Sequence, residues 1–166
     1  MTAARLNYPE VGATTLGTLP SGYLHVRRSR LLGHGAATFE RAGDALFHWE
    51  LHRRAGLTVE ASQPVGLGVE VAVIWGAGPL RIRCPCRVVR VLAECSLRGF
   101  AYGALEGHPE RGEELFQVRI SPAGQVNLEI VAFSRPARWY SRLGAPVARH
   151  LQRRITDRYL NALAGI

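Results

Sequence analysis

Residues 99–116 read GFAYGALEGHPERGEELF, and this stretch decides the fold prediction. Its two ends alternate apolar residues with small or polar ones, which is typical of half-buried strands. Its centre combines glycine, proline, histidine and glutamate, a mixture that marks a tight turn. The stretch holds four glycines and four glutamates in all. We therefore expect a strand, a rigid polar turn and a second strand, with the turn serving either as a difficult loop or as a site.

The same period-two pattern extends well beyond this hairpin. Apolar and polar residues alternate through most of residues 57–133, so about six strands are expected there. Pro85 lies within this region and predicts an edge strand or a bulge, because proline cannot donate a ladder hydrogen bond. A weaker alternation over residues 23–32 predicts a first strand ahead of this region.

Two stretches change to the helical period. Residues 36–55 carry one apolar stripe at spacings of three and four. Residues 137–164 carry a longer stripe, and Pro146 is expected to kink this C-terminal helix or to start its second part. Residues 1–21 show little periodicity, which predicts an irregular N-terminal arm. The whole chain, residues 1–166, is expected to form a single domain.

The element order is thus strand, helix, about six antiparallel strands and a long helix. An antiparallel sheet with one apolar face needs a cover, and the C-terminal helix is the obvious one. We expect an α+β fold in which a curved antiparallel sheet of about seven strands wraps that helix, with one further helix after the first strand. This order resembles the helix-grip arrangement of the START and Bet v 1-like superfamily, and the resemblance implies a cavity between sheet and helix.

Composition favours a soluble protein of the cytoplasm. The 166 residues are 47% apolar and 20% charged, which is ordinary for a globular domain. No apolar run approaches the ~18 residues needed to span a bilayer, and residues 1–5 do not resemble a secretory signal. The three cysteines, an odd number, fit a reducing compartment better than a disulfide framework.

All 21 basic residues are arginine. The lack of lysine excludes Schiff-base chemistry, a pyridoxal-phosphate lysine and a Walker A loop. Residues 135–166 hold seven of the arginines and one acid, so the positive charge is concentrated near the C-terminus. Trp139 and Tyr140 lie among Arg135, Arg138 and Arg142, a mixture found in nucleic-acid binders and in membrane-surface helices. The plainer interpretation, which we favour, is the solvated face of an amphipathic helix.

Three other motifs each have a structural interpretation beside a functional one. Gly33-His34-Gly35 has the outline of a nucleotide-binding loop, but no strand–helix alternation follows, so a tight turn is favoured. His48 and His52 have the spacing of two metal ligands, but no third ligand is evident, so a solvated or capping pair is favoured. Cys84 and Cys86 share one strand face and are interpreted as buried apolar residues rather than as a redox or metal site. We therefore expect no metal and no cofactor.

The central turn is the candidate catalytic site. A histidine beside carboxylates can be tuned for proton transfer, so His108 is paired with Glu110, Glu113 or Glu114 in this hypothesis. The alternative is a rigid polar hairpin held by internal hydrogen bonds, and it is favoured because no nucleophile or metal set converges on the turn. Tyr102, on the strand before the turn, carries a hydroxyl that needs a partner if it is buried.

Four stretches carry a family resemblance: Tyr8-Pro9-Glu10-Val11-Gly12-Ala13-Thr14; Leu19-Pro20-Ser21-Gly22-Tyr23; Gly99-Phe100-Ala101-Tyr102-Gly103 with Gly107-His108-Pro109-Glu110-Arg111-Gly112-Glu113-Glu114; and Ala132-Phe133-Ser134-Arg135-Pro136. Together they resemble the uncharacterised protein family 0548, a domain of unknown function found in bacteria and plants. The resemblance covers nearly the whole chain and brings no assigned activity or catalytic residues. The positions that fall in its motifs are Tyr8, Tyr102, His108, Glu110, Glu113 and Arg135.

Three functions remain open on this basis. The favoured one is a domain that holds a small, largely apolar ligand between sheet and C-terminal helix, with Trp49, Tyr102, His108 and Arg135 as its polar contacts. The second is an enzyme of the hydrolase, cyclase or isomerase type that uses His108 with its neighbouring carboxylates. The third is a surface binder of nucleic acid or anionic lipid through the basic C-terminal helix. The sequence specifies neither the ligand nor the oligomeric state.

Overall fold

The computed structural model describes residues 4–76, 78–137 and 145–166, without the side chains of Leu80 and of residues 145–152. Short 3₁₀ turns lie at Ala13–Thr15 and Gly78–Leu80. The strands are β1 (Leu24–His34), β2 (Thr58–Ala61), β3 (Glu70–Trp75), β4 (Ile82–Glu94), β5 (Leu97–Ala104), β6 (Glu110–Ile120) and β7 (Gln125–Pro136). The helices are α1 (Ala36–Phe47), α2 (Glu50–Arg54) and α3 (Ala145–Ala162).

The seven strands form one curved antiparallel sheet. Their order is β1-β7-β6-β5-β4-β3-β2, so each strand from β2 to β7 lies beside the next one in the chain. The first strand closes this meander by pairing with the last, and β1 and β2 are the two edges. The predicted α+β fold with about seven antiparallel strands and a C-terminal helix is confirmed. Residues 138–144, which belong to the helix predicted at 137–164, lie outside the described residues.

One face of the sheet, which we call the inner face, packs against the three helices. Alternation places every second residue of a strand there, so Phe100 and Tyr102 of β5 meet Phe116 and Val118 of β6. Tyr159 of α3 belongs to the same buried cluster. The opposite or outer face is covered in part by the N-terminal arm, whose Tyr8 and Ala13 pack against Phe133 of β7. No helix within the described ranges is long and apolar enough to cross a membrane.

The single helix predicted at 36–55 is divided at Trp49 into α1 and α2. Trp49 has φ 62°, a left-handed conformation, and no other non-glycine residue in the described ranges has a positive φ. Such a backbone is costly for a bulky side chain. The buried indole compensates by packing edge-on to Phe100 at 5.1 Å and by donating from Nε1 to the carbonyl of Gln63 at 3.0 Å. The break rotates α2, so that His52 faces the core and Arg53 faces solvent.

The prediction made from Pro85 is wrong, because β4 pairs on both sides and its bulge lies between Val88 and Arg90. The carbonyl of Pro85 accepts from the amide of Leu105 at 3.0 Å. In an antiparallel strand the nitrogen and the carbonyl of one residue point to the same neighbouring strand. The ring nitrogen of Pro85 therefore points towards the β5 side, beyond Cys86 and Ala104, the last register pair of β4 and β5. The carbonyl of Leu105 accepts instead from the backbone amide of His108 at 3.1 Å and from the side-chain amide of Asn7 at 3.2 Å.

Candidate functional site

A cavity of about 60 Å³ opens on the inner face where the β5–β6 turn meets β7. Two features of the sequence bring polar groups together there. Tyr102 and Glu114 are register partners on β5 and β6, so their side chains share a face. The turn then folds His108 and Glu110 back over the same end of the sheet. Ser134 of β7 lines the third side.

Glu114 is the ionisable group most clearly altered by this setting. Its Oε2 accepts a hydrogen bond from the Tyr102 hydroxyl at 3.2 Å. Burial raises the pKa of Glu114 from 4.5 to about 7; the hydrogen bond from Tyr102 opposes that rise and the negative charge of Glu110 adds to it. Within the described residues Glu114 forms no ion pair. A carboxyl group with this pKa exchanges its proton near neutral pH, as a general acid or base must.

Behind Tyr102, buried His52 extends the hydrogen-bonded chain into the core. Its Nε2 lies 3.3 Å from the Tyr102 hydroxyl. Because that hydroxyl gives its proton to Glu114, Nε2 is the donor in this pair and His52 carries its hydrogen there. The ring packs against Phe116 at 4.9 Å and Tyr159 at 5.1 Å. Burial, with a smaller contribution from Arg53, lowers the pKa of His52 to about 3, so the imidazole is neutral at neutral pH.

Tyr159 joins the chain from α3. Its hydroxyl is hydrogen-bonded to that of Tyr102, and burial raises the pKa of both phenols well above their ordinary value of 10.0. Both tyrosines are therefore protonated at neutral pH. Tyr102 is thus surrounded by His52, Tyr159 and Glu114, and this fixes the direction in which its own proton points.

His108 is fixed in the turn by its own backbone. The amide of Glu110 donates to Nδ1 of His108 at 2.9 Å, so the neutral ring carries its hydrogen on Nε2. Burial lowers the pKa of His108 to about 4. Burial raises the pKa of Glu110, against a hydrogen bond from Ser134. At neutral pH His108 is therefore a hydrogen-bond donor and acceptor rather than a cation.

The adjacent thiols are not suited to nucleophilic chemistry. Cys84, Cys86 and Cys95 are free. Burial raises the pKa of Cys84 to about 12 and that of Cys86 well above 9.0, so both remain protonated. The described parts of the chain contain no group of three or more residues arranged to hold a metal ion. The spacing of His48 and His52 does not bring their rings together, because His48 bonds the carbonyl of Asp44 while His52 points into the core.

Glu113, the neighbour of Glu114, lies on the outer face instead. Its carboxylate accepts from the Tyr8 hydroxyl at 2.7 Å, from the Gly12 amide at 2.6 Å and from the Thr14 amide at 3.0 Å. The Thr14 hydroxyl is a fourth donor. These bonds fasten the N-terminal arm to the sheet, and they occupy the carboxylate, so we do not include Glu113 in the proposed site.

The glycines of the hairpin serve this outer attachment. A Cβ atom on Gly103 would lie 2.1 Å from the Tyr8 hydroxyl oxygen, so only glycine lets the tyrosine cross β5. Gly112 has φ 139°, and a Cβ there would lie 1.9 Å from the carbonyl oxygen of Phe133. The motif therefore combines a difficult backbone with a group of polar side chains on the other face.

Two further residues expected in the ligand site lie away from the cavity. Trp49 is buried behind α2, with its indole nitrogen bonded to Gln63. Arg135 lies on the outer face, where its guanidinium stacks over the Tyr23 ring at 4.7 Å. The predicted aromatic and basic cluster at Arg138, Trp139, Tyr140 and Arg142 lies outside the described residues. Of the expected residues, the fold brings together the side chains of Tyr102, His108, Glu110 and Glu114.

Sequence reasoning left His52 and Tyr159 out of the site and did not distinguish Glu114 from Glu110 and Glu113. A signal for Glu114 was present, since the alternation of Phe116 and Val118 continues backwards to position 114 and not to 113. His52 had no comparable signal. Its approach to Tyr102 joins residues 50 positions apart and depends on the break at Trp49.

The sheet, the helices after β1 and the terminal helix define a Bet v 1-like α+β domain. A point mutant of norcoclaurine synthase from Thalictrum flavum, in complex with a transition-state analogue, superimposes with a TM-score of 0.56, covering 88% of this chain and 97% of that one at 11% identity. Ara h 8.0201 gives a TM-score of 0.52 over 87% of this chain and all of the other, at 10% identity. A hypothetical protein from Helicobacter pylori gives 0.66 over 99% of this chain and 96% of that one, at 7% identity. These likenesses show the fold.

The chain belongs to the DUF1990 family, described as a domain of unknown function, whose model matches residues 7–162. A UPF0548 protein from Deinococcus radiodurans is 31% identical over 171 residues, which cover 95% of this chain and 85% of the relative. A UPF0548 protein from Arabidopsis thaliana is 29% identical over 138 residues, covering 80% and 67%. The resemblance predicted from the four sequence motifs is confirmed.

Proposed function

We propose that this protein binds a small, largely apolar molecule between the sheet and the C-terminal helix, with one hydrogen-bond-donating group of that molecule directed at Glu110 and Glu114. The observation that carries the proposal is the convergence of these two carboxyl groups with Tyr102 and His108 on one cavity. Most of the remaining wall is small or apolar, with Cys86, Ala104 and Ala132 among it, and Arg111, Glu113 and Ser134 complete it. A few placed polar groups in an otherwise apolar wall are usual for a ligand site.

The chemistry of the two carboxyl groups selects the ligand's polar end. Within the described residues neither Glu110 nor Glu114 has a cationic partner. An amine or another N–H donor would relieve the cost of burying them, because charged or strongly polar partners favour the ionised carboxylate. An anionic end would be repelled by either carboxyl group in its ionised form. We therefore propose an amine-bearing or N–H-bearing ligand.

A second candidate function is acid–base catalysis at the same cavity. It is favoured by one specific observation, the chain from His52 through Tyr102 to Glu114, with contacts of 3.3 and 3.2 Å. In this proposal Glu114 takes a proton from the bound molecule or returns one to it. Tyr102 holds the carboxyl group in place and His52 holds Tyr102, so these two are positioning residues. The proposal leaves the reaction itself unassigned.

Both candidates are tested by NMR titration of the ¹⁵N-labelled protein with small primary amines such as phenethylamine. We expect the amide signals of Tyr102, His108 and Glu114 to shift together, and Glu114→Gln to weaken binding. Glu106→Gln is the matched control, because Glu106 is exposed in the same turn. Shifts confined to the outer face, or equal affinities for both variants, would contradict the proposal. Native mass spectrometry of freshly purified protein would identify a ligand retained from the cell.

Two broader proposals concern the protein's surroundings. Three free thiols suit a reducing compartment such as the cytoplasm. The alternative of a nucleic-acid or anionic-lipid surface draws on Arg153, Arg154 and Arg158, which are exposed on α3. Retention on heparin that weakens steeply with salt would support that alternative, and elution at low salt would oppose it.

A further inference from the structure

A second cavity, of about 230 Å³, lies between the edge strand β1 and the terminal helix. Leu24, Val26 and Arg28 line it from the inner face of β1, and Arg153 and Thr156 line it from α3. His25 and Arg27, the two β1 residues between them, direct the polar ends of their side chains to the outer side. There Nε2 of His25 bonds the carbonyl of Pro20 at 2.8 Å, and Arg27 bonds that of Gly17 at 2.5 Å.

The strand register puts this second cavity beside the first one. Leu24 pairs with Ser134, and Val26 pairs with Ala132. Ser134 and Ala132 both line the first cavity. Ala132 pairs in turn with Glu114, so Val26, Ala132 and Glu114 form one row across three strands on the inner face. Strands lie about 4.8 Å apart, so the row spans about 10 Å, and its middle position holds only a methyl group.

The two ends of this row carry opposite charge. At the β6 end are the carboxyl groups of Glu110 and Glu114. At the β1 end are the guanidinium groups of Arg28 and Arg153. Asp157 holds Arg28 from the next turn of α3 at 2.7 Å, which fixes the direction of its guanidinium. Among the described residues Arg153 has no carboxylate partner.

Building on the proposed function, we propose that the ligand is an ampholyte, with an N–H-bearing or cationic group at Glu110 and Glu114 and an anionic group at Arg28 and Arg153. The strands that carry Glu114 and Arg28 are two places apart in the sheet, about 10 Å between their backbones. The reverse orientation would place the anion against two carboxyl groups and the cation against two guanidinium groups. Because Ala132 and Ser134 are small, an apolar chain or ring has room to cross β7 between the two ends. The charge layout therefore gives both the class of ligand and its direction.

The test compares three probes that share an eight-carbon chain: 8-aminooctanoic acid, octylamine and octanoic acid. Each is titrated against the whole protein by NMR, with Glu114→Gln and Arg153→Gln as test variants. Arg119→Gln is the matched control, since Arg119 is an exposed arginine of β6 remote from both cavities. Arg153 is exposed and Glu114→Gln keeps the size of the original side chain, and the amide spectra of both variants report directly whether the fold is retained.

We expect 8-aminooctanoic acid to bind about fivefold more tightly than octylamine, the gain of one exposed ion pair. Arg153→Gln should abolish this advantage without changing the affinity for octylamine, and Glu114→Gln should weaken both amines. If octylamine binds as well as the ampholyte and Arg153→Gln changes neither, the inference fails and the proposed function stands. If no amine shifts the signals of Tyr102 and Glu114, both fail. Stronger binding of octanoic acid than of octylamine would overturn the proposed direction.

Discussion

Replacing Glu114 by glutamine should change how the stability of the protein depends on pH. Burial raises the pKa of Glu114 from 4.5 to about 7, so between these values the folded protein retains a proton that the unfolded chain has lost. The wild type therefore loses stability as pH rises from 4.5 to 7, and the loss is constant above that. Glutamine cannot ionise, so the variant lacks this loss. This shift in the pKa of Glu114 corresponds to about 3 kcal/mol in the free energy of unfolding.

The measurement is the free energy of unfolding in urea, taken at several pH values between 4 and 8. The quantity of interest is the variant's stability minus that of the wild type, because common contributions from His52 and His108 cancel in it. This difference should increase by about 3 kcal/mol from pH 4.5 to pH 8. Glu106→Gln, exposed in the same turn, should show no such trend. A difference that stays flat or decreases would refute the assignment of a raised pKa to Glu114.

Three further predictions concern the outer face and the thiols. Glu113→Ala should lower the free energy of unfolding by about 3 kcal/mol, because it leaves the buried donors of the N-terminal arm without an acceptor; urea unfolding measures it. Gly103→Ala should lower the free energy of unfolding by about 2 kcal/mol, because the added methyl group collides with Tyr8. In a Tyr8→Ala background the same substitution should cost clearly less, and a double-mutant cycle measures the difference. At pH 8 a disulfide reagent should modify exposed Cys95 at once, and Cys84 and Cys86 of β4 only after unfolding. Prompt modification of Cys84 and Cys86 as well would contradict the protection of these two thiols.

The strands were predictable because alternation survives in a sheet with one buried face. Each strand that pairs on both sides repeats apolar residues at every second position towards the helices, as Phe116 and Val118 do on β6. The position of Pro85 was not predictable in the same way. Proline only has to occupy a position where the sheet requires no N–H donor. A position beyond the last pair with a neighbouring strand meets this requirement inside the sheet, just as an edge strand does.

The site was predictable only in part, for two physical reasons. Neighbouring residues of a strand point to opposite faces, so Glu113 and Glu114 look alike in the sequence and have unrelated roles in the fold. The second reason is the left-handed backbone of Trp49, which a bulky residue adopts only when tertiary packing compensates for it. That turn directs His52 towards Tyr102, and nothing local to residues 48–52 signals it.

The unpaired side of β1 has a consequence for how copies of this protein meet. An eleven-residue strand with a free edge is a template on which another chain can extend the sheet. Here Arg27, Arg28 and Arg30 lie along that edge strand. Two copies joining antiparallel through β1 would set guanidinium groups of one against those of the other. These arginines, of which Arg28 also lines the cavity between β1 and α3, thus discourage edge-to-edge polymerisation.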